Sequence, residues 1–319
     1  SSTGSPTGGQ VDTCEPASKP NDPGAPLGRV VAVSMGGLDA CAVFEDGSVR
    51  CWGDNSYGQL GNGSYANGRY PEQTSDAPPI LQVGAGVHHT CALTMDGCVW
   101  CWGDNTWGSL GMGELAGSST PLPIEGLGKV ASLSTWGEAN VALLEDGKVY
   151  WWGRRGFAGS SATPELWFDS AKTALYRSVS IGGEFACGLR VDGNVECWGD
   201  NRHGQLGTGD EVDRPDPTMI EDFDDVIQIA LGGWIACAVR ADKSLWCWGR
   251  NGHGSLGNGT TDDLPTPQQV ALEDVEEVAV FTRHTCARVT GGHVWCWGDN
   301  GSKEIGNGAM GDLVLLPWE

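Results

Sequence analysis

The sequence predicts an all-β fold, a β-propeller, and three observations carry that prediction. A short segment, CAVFEDGSVRCWG at residues 41–53, occurs six times with small changes, at steps of 46 to 50 residues. A β-favouring run precedes the copies, and a polar, glycine-rich loop follows most of them. Helix-period patterns are scarce. Self-similarity at this period is typical of β-sheet units arranged in a ring or a stack.

The repeated segment has the pattern of a β-hairpin. In the first copy, two β-favouring runs flank the turn residues Glu45, Asp46 and Gly47, and the glycine at the end of such a three-residue loop can adopt positive φ. Centring the loop on Asp46 places Cys41 opposite Cys51 at a non-hydrogen-bonded site. The Cα atoms at such a site lie roughly 4.5 Å apart, which is the short end of the disulfide range.

The same pairing applies in the other copies that carry cysteines. It predicts the bonds Cys41–Cys51, Cys91–Cys101, Cys187–Cys197, Cys237–Cys247 and Cys286–Cys296. In the third copy Val141 and Trp151 stand at the two cysteine positions. We expect cysteines that form a bond to be lost together, so this copy supports the pairing.

The segments around each hairpin complete a blade. Upstream runs such as VVAVSMGG, from residue 30, predict an inner strand. Downstream, a polar loop such as GDNSYGQLG, from residue 53, leads to a proline-bearing run such as PLPI, from residue 121. Proline is tolerated on edge strands, so this run is expected to be outermost. Each repeat therefore predicts three or four antiparallel strands.

The combined pattern is Gly-Gly, then Cys-Ala-x-x-x-Asp-Gly-x-Val-x-Cys-Trp-Gly, then Asp-Asn-x-x-Gly-Gln-Leu-Gly-x-Gly, over roughly residues 29 to 318. It resembles the repeats of the RCC1 (regulator of chromosome condensation) family. The resemblance implies a propeller, usually of seven blades. Six copies favour six blades here, with seven as the alternative. We divide the chain into an N-terminal spacer, residues 1–28, and a propeller, residues 29–319.

The amino-acid composition limits the classes of binding partner and the cellular compartments that we expect for this chain. The formal net charge of −22, with 19 Lys and Arg residues in 319, argues against a nucleic-acid partner. No apolar run is long enough to span a membrane. The first residues, SSTGSPTGGQ, resemble the spacer that follows a removed signal or a lipid anchor in secreted bacterial proteins. We expect an extracellular, cell-surface or periplasmic bacterial protein, with a lipid or surface anchor as an option.

Cys14 and Cys98 remain after the hairpin pairs are assigned. An even cysteine count in an exported chain favours a bond between them. Zinc ligation is the rival interpretation, but the hairpin cysteines lack the spacing of zinc knuckles, so we expect no metal. Acidic stretches at 210–216 and 221–225 could bind Ca²⁺, yet they lack the spacing of a known calcium loop. We therefore expect no cofactor.

The motifs of the common enzyme classes are missing from the sequence. His89 and His284 precede hairpin cysteines, where a histidine in the RCC1-like pattern often has a structural role. Residues 154–177 lack the Asp-Asn and Gln-Leu-Gly signals. We interpret that stretch as a decayed blade loop, with a functional insertion as the alternative.

Comparing the copies with one another points to a recognition surface. Framework positions repeat, whereas two loop positions differ in almost every copy, one before the hairpin and one after Trp-Gly. Strand direction places both at one end of the blades, opposite the Asp-Gly turns. The candidate binding residues are Leu38, Tyr57, His88, Trp107, Glu138, Glu184, His203, Trp234, His253, Arg283 and Lys303. Aromatic side chains among charges are typical of protein-binding surfaces, although Trp107 and Trp234 could instead pack between blades.

Two functions follow as expectations. The first is an exported propeller that recognises a protein partner, most similar among RCC1-like proteins to bacterial extracellular members, including the β-lactamase-inhibitory kind. Hairpin disulfides disfavour the nuclear exchange-factor role because they need an oxidising compartment. The second is a small-molecule or glycan site at the channel mouth, with enzymatic activity as an option, where His88, Glu138, Glu184 and Arg283 would converge. A deep pocket there would favour the second function, and a broad aromatic surface the first.

Overall fold

The computed structural model describes residues 28–155, 159–169, 176–301 and 313–318. These residues form six four-stranded antiparallel sheets and no helix. Each sheet is built from one sequence repeat, and its strands follow one another in chain order from the inner to the outer edge. The prediction of a six-bladed, all-β propeller is therefore confirmed. The part of the chain that the structure describes contains no helix that could cross a membrane.

The blades are numbered 1 to 6 in chain order, with four strands each. The strands are β1 Val30–Met35, β2 Asp39–Phe44, β3 Val49–Gly53, β4 Gly68–Gln73, β5 Ile80–Ala85, β6 His89–Thr94, β7 Val99–Asp104, β8 Gly117–Pro123, β9 Val130–Trp136, β10 Ala139–Leu144, β11 Lys148–Arg155, β12 Gly159–Asp169, β13 Tyr176–Ile181, β14 Phe185–Arg190, β15 Val195–Gly199, β16 Arg214–Met219, β17 Val226–Leu231, β18 Ile235–Arg240, β19 Leu245–Gly249, β20 Leu264–Gln269, β21 Val275–Val280, β22 His284–Val289, β23 Val294–Asp299 and β24 Leu313–Trp318.

The second and third strands of each blade form the predicted hairpin. Cys41 lies opposite Cys51 in the β2–β3 register, and the turn closes with Gly47 at a φ of 80°. In all five predicted pairs the sulfur atoms lie at bonding distance and the Cα atoms are 4.1 Å apart. Val141 and Trp151 face each other at the same place in blade 3. The predicted Cys14–Cys98 bond involves Cys14, which lies outside the described residues.

Neighbouring blades pack face to face through two different surfaces. The leading face of a blade carries alternate residues of its inner strand and the Trp of the Trp-Gly pair, as Ile229, Leu231 and Trp248 do in blade 5. The trailing face of the preceding blade carries the disulfide, here Cys187–Cys197. Similar cores join blades 1 and 2, 2 and 3, 3 and 4, and 5 and 6. The cores are therefore sandwiched between successive blades.

Among the described residues, no such core joins blade 6 to blade 1. On the leading face of blade 1, Val33 and Met35 are 67% and 66% exposed, whereas Val83 and Ala85 at the same positions of blade 2 are each 5% exposed. Trp52 is half-buried. Its five equivalents are fully buried, namely Trp102, Trp152, Trp198, Trp248 and Trp297. We call the leading face of blade 1 and the trailing face of blade 6 the open seam.

Blade 3 departs from the others after its hairpin. Strand β11 runs on to Arg155, and β12 is the longest strand, with 11 residues. The two strands pair over this length with two register shifts. Where other repeats place the Gln-Leu-Gly loop, blade 3 therefore continues the sheet. Within residues 154–177, the described residues 154–155 and 159–169 extend the sheet of blade 3, and residues 176–177 begin β13 of blade 4.

Candidate functional site

Backbone hydrogen bonds bring the two variable loop positions together at one end of every blade. The residue that follows Trp-Gly donates its N–H to the carbonyl of the variable residue before the hairpin, as Asp54 does to Leu38 and Asp104 to His88, each at 2.9 Å. Similar bonds of 2.9–3.0 Å occur in the other blades. We call this end the loop face. It contains Leu38, Tyr57, His88, Trp107, Glu138, Glu184, His203, Trp234, His253 and Arg283, and predicted Lys303 lies outside the described residues.

Buried asparagines hold four loops of this face. The Asn55 side-chain oxygen accepts the Leu60 N–H at 2.9 Å, and its amide nitrogen donates to the carbonyls of Ser64 and Ala66, both at 3.0 Å. Asn105, Asn201 and Asn251 accept the corresponding leucine N–H at 2.8–3.0 Å. These bonds satisfy backbone groups that the turn would otherwise leave unpaired. The loops therefore present their exposed side chains from a defined backbone.

Across blades 1 to 3 the loop residues form one continuous group. The rings of Tyr57 and His88 lie 4.4 Å apart, and His88 Nδ1 lies 2.9 Å from Glu138 Oε1. Trp107 is 42% exposed, and the Arg154 guanidinium lies 4.3 Å from the centre of its ring. The surface thus combines aromatic faces with both signs of charge, which suits a protein partner.

His89 is fully buried beneath this group. Burial lowers its pKa, so the ring is neutral, and its Nε2 lies 3.1 Å from Asn140 Oδ1 of blade 3. Asn140 in turn donates to the Ser109 carbonyl at 2.9 Å. The ring therefore links two blades and is closed to solvent. His284 is half-buried, with its ring 5.7 Å from that of Phe281.

A second group lies across blades 4 and 5. Trp234 is half-buried between the His203 ring, 6.0 Å away, and the Arg250 guanidinium, 5.0 Å from its ring centre. Glu184 accepts a hydrogen bond from Arg202 at 2.9 Å. Trp234 therefore packs between loops and is also partly exposed to solvent.

Blade 6 contributes a smaller charged group, and blade 1 an apolar one. Arg283 is mostly exposed, and its guanidinium lies 3.6 Å from Asp299, which is also 3.7 Å from His253. Leu38 is 78% exposed. Burying such a side chain against a partner would be favourable by about 1.5–3 kcal/mol.

The four residues expected to converge at the channel mouth do not form one cluster. His88 and Glu138 are in contact, but Glu184 pairs with Arg202, and Arg283 lies beside Asp299. Trp136 of blade 3 and Phe281 of blade 6 meet instead, with ring centres 5.3 Å apart. Two opposite blades are thus in aromatic contact on the loop face.

Sequence reasoning missed Trp136 and Phe281, although the repeat comparison contains a signal for them. Both stand where four other copies have a glycine, the first of the Gly-Gly pair or its equivalent. It also missed Arg154 and Arg250, whose side chains stack on Trp107 and Trp234. Each arginine directly follows a Trp-Gly pair, where several other copies have aspartate.

Metal-binding geometry is not found among the described residues, where no three His, Cys, Asp or Glu side chains gather around a common point. The acidic stretch at 210–216 has other contacts. Asp210 forms an ion pair with Arg214, and Asp213 accepts the Asn201 N–H at 2.8 Å. Part of this acidity therefore stabilises loops.

Comparisons with known proteins agree with this fold. A family model described as an RCC1-like domain matches residues 2–318. The fold is similar to that of Prp20p from Saccharomyces cerevisiae, with a TM-score of 0.78 and 21% identity, over 90% of this chain and 76% of that one. Human WBSCR16 is similar, with a TM-score of 0.74 and 25% identity, over 82% and 72% of the two chains. Human E3 ubiquitin-protein ligase HERC2 is 38% identical over 63 residues, which is 19% of this chain and 1% of that protein.

Proposed function

Because the chain belongs to the family of RCC1-like domains, we propose that it is a binding propeller that recognises a protein partner through its loop face. One observation carries the proposal: the backbone of this face repeats from blade to blade, while the exposed side chains differ. An asymmetric partner presents a different surface to each blade. The residues that contact it are therefore expected to differ between blades, whereas the framework residues stay the same. Prp20p is described as binding Gsp1p and histones, and yeast RCC1 (Prp20) has been crystallised with Kap60.

The proposal includes export. Five hairpin disulfides support an oxidising compartment, because such bonds are rare in reducing ones. We propose an extracellular, cell-surface or periplasmic location in a bacterium. The net charge of −22 disfavours nucleic acid as the partner.

A small-molecule or glycan site at the channel mouth is the second candidate. The close pair of His88 and Glu138 favours it, since a half-buried carboxylate beside an imidazole can exchange a proton. The contact of Trp136 with Phe281 and the separation of Glu184 from Arg283 give it less support. The aromatic and charged groups spread over the face agree better with a protein partner.

The test compares the two ends of the blades. The chain is immobilised and exposed to native secreted proteins, and the captured partner is titrated against variants. On the loop face, Trp107→Ala, Leu38→Ala and Trp234→Ala should each weaken binding, by on the order of thirtyfold for a central tryptophan. At the opposite end, Asp46→Ala and Asp96→Ala are the matched controls and should bind as the parent does. Loss of binding in the controls alone would contradict the assignment.

A further inference from the structure

A cleft of about 1090 Å³ lies between blades 3 and 4 at the loop end. Trp167 of β12 and Phe185 and Trp198 of blade 4 form its apolar part. Its rim is polar and carries four acidic and two basic residues, namely Glu184, Asp200, Glu211, Asp213, Arg202 and Arg214. The cleft lies beside the loop face, in the region where the chain of blade 3 departs from the repeat.

At four other junctions a loop of the preceding blade occupies this place. In each, the buried tryptophan of one blade donates its indole N–H to a loop carbonyl of the blade before it, at 2.8–3.1 Å. The pairs are Trp102 with Gln59, Trp152 with Ser109, Trp248 with Gln205 and Trp297 with Ser255. The leucine that follows each carbonyl is buried, namely Leu60, Leu110, Leu206 and Leu256.

The same loops make a second bond four residues after that carbonyl. A glycine N–H donates to the carbonyl of the outer strand of the next blade, at 2.8–3.0 Å. The pairs are Gly63 with Ser119, Gly113 with Ala162, Gly209 with Pro265 and Gly259 with Leu315. At each of these junctions the loop of one blade therefore binds to the next blade in three ways. It accepts a hydrogen bond from the tryptophan, donates one to the outer strand and buries a leucine.

Blade 4 retains the receiving groups, but the described part of blade 3 does not supply the loop. The Trp198 indole nitrogen is buried and has no hydrogen-bond partner, unlike those of Trp102, Trp152, Trp248 and Trp297. The carbonyl of Pro215, at the position of Pro265 in blade 5, receives no loop N–H from the described residues. Trp167 lies edge-on to Trp198, with ring centres 5.5 Å apart, and both side chains line the cleft.

We propose that this cleft binds a loop of the partner protein that reproduces the missing one. Such a loop offers a carbonyl to Trp198, a leucine to the apolar wall and, four residues later, an N–H to the Pro215 carbonyl. Trp167 must move to admit it. This inference deepens the proposed function by naming the peptide chemistry that the protein partner presents, and it rests on that function.

The rim adds a charge preference. In blade 5, Asp263 accepts the Asn251 N–H with one oxygen, and its other oxygen lies 2.8 Å from His203 of the incoming loop. Asp213 of blade 4 accepts the Asn201 N–H in the same way, at 2.8 Å, and it lines the cleft. A basic residue two positions before the carbonyl is therefore favoured. The chain's own loop at 202–209, RHGQLGTG, has this whole pattern.

The experiment titrates an acetylated and amidated RHGQLGTG peptide into the full chain by calorimetry. We expect saturable binding to one site. Trp198→Phe removes only the indole N–H among the polar contacts and should weaken binding about tenfold, the effect of losing one buried hydrogen bond. A peptide with N-methylglycine at the position of Gly209 lacks the second N–H and should lose a similar factor. Trp248→Phe, which removes the equivalent bond inside the molecule, is the matched control and should bind as the parent does.

Absence of binding at millimolar peptide, or equal affinity of parent, Trp198→Phe and N-methylated peptide, would overturn the proposal. Circular dichroism of each variant shows whether it is folded, so a folding defect is not mistaken for lost binding. Because the probe is a peptide and not the partner, its failure leaves the capture experiment on Trp107 and Leu38 unaffected. Loss of partner binding in those variants without peptide binding would overturn this inference alone.

Discussion

Asp39 shows at the scale of one residue how the loop end of blade 1 constrains chemistry. Its side chain is buried, and burial raises its pKa from 3.8 to about 7, with a further rise from the Asp54 carboxylate. The equivalent residue of blade 2, His89, is buried as well, but it is neutral and bonded to Asn140. A carboxylic acid at this position therefore destabilises the folded protein by an amount that depends on pH.

Asp39→Asn should raise thermal stability above that of the parent at pH 8, and the gain should vanish by pH 4. In the unfolded chain Asp39 titrates near 3.8, whereas the folded protein holds the proton to about pH 7. As pH rises through this window the unfolded chain loses its proton first, so parent stability falls by roughly 1.4 kcal/mol per pH unit. Melting temperatures of both proteins across this pH range check it. A pH-independent difference would contradict the raised pKa.

The hairpin is the element that the sequence predicts best. Alternating β-favouring runs, a turn glycine and two cysteines at fixed spacing determine register, because a shift by one residue would turn the cysteines apart. The loop face was predictable as a set of positions, since strand direction fixes which loops share an end. The contacts within it, such as Tyr57 with His88, were not. They depend on how far the loops of neighbouring blades lean towards each other.

The hairpin disulfides should differ in how much they contribute to the free energy of unfolding. Each closes a loop of the same sequence separation, 10 residues, so the chain-entropy contribution is about 2–3 kcal/mol in every blade. Cys187 and Cys197 are fully buried in the core between blades 4 and 5, whereas Cys286 and Cys296 are half-buried at the open seam. Replacing both by alanine should therefore cost more in blade 4. Denaturant unfolding of the two double variants measures this, and a larger loss in blade 6 would contradict the packing.

At the scale of the whole molecule, repeat counting predicted six blades but not the open seam. The number of repeats predicts the number of sheets, because each repeat forms one sheet that packs only on its neighbours. Closure depends on the angle between successive blades, which side-chain volumes in the cores set. Val33 and Val83 are the same residue at the same position of their blades, yet among the described residues only Val83 is covered. The cleft beside Trp198 was also unpredicted, because the loop signal that is missing belongs to blade 3 and its effect falls on blade 4.

The open seam predicts that two matched substitutions lower the free energy of unfolding by unequal amounts. Val83→Ala removes buried methyl groups from the core between blades 1 and 2 and should cost about 1–3 kcal/mol. Val33→Ala, at the same position of blade 1, is 67% exposed and should cost less than about 0.5 kcal/mol. Unfolding free energies of both variants are the measurement. Equal losses would show that the leading face of blade 1 is covered in solution.

The central claim is that a protein partner covers the loop face, and hydroxyl-radical footprinting of the captured complex tests it most directly. Tyr57 and Trp107 are 44% and 42% exposed on that face, and Met95 is 58% exposed beside the Asp-Gly turn at the opposite end. All three side chains oxidise readily when they are exposed. We predict that the partner slows oxidation of Tyr57 and Trp107 severalfold and leaves Met95 unchanged. Protection of Met95 with Tyr57 and Trp107 oxidised at their free rates would contradict the account.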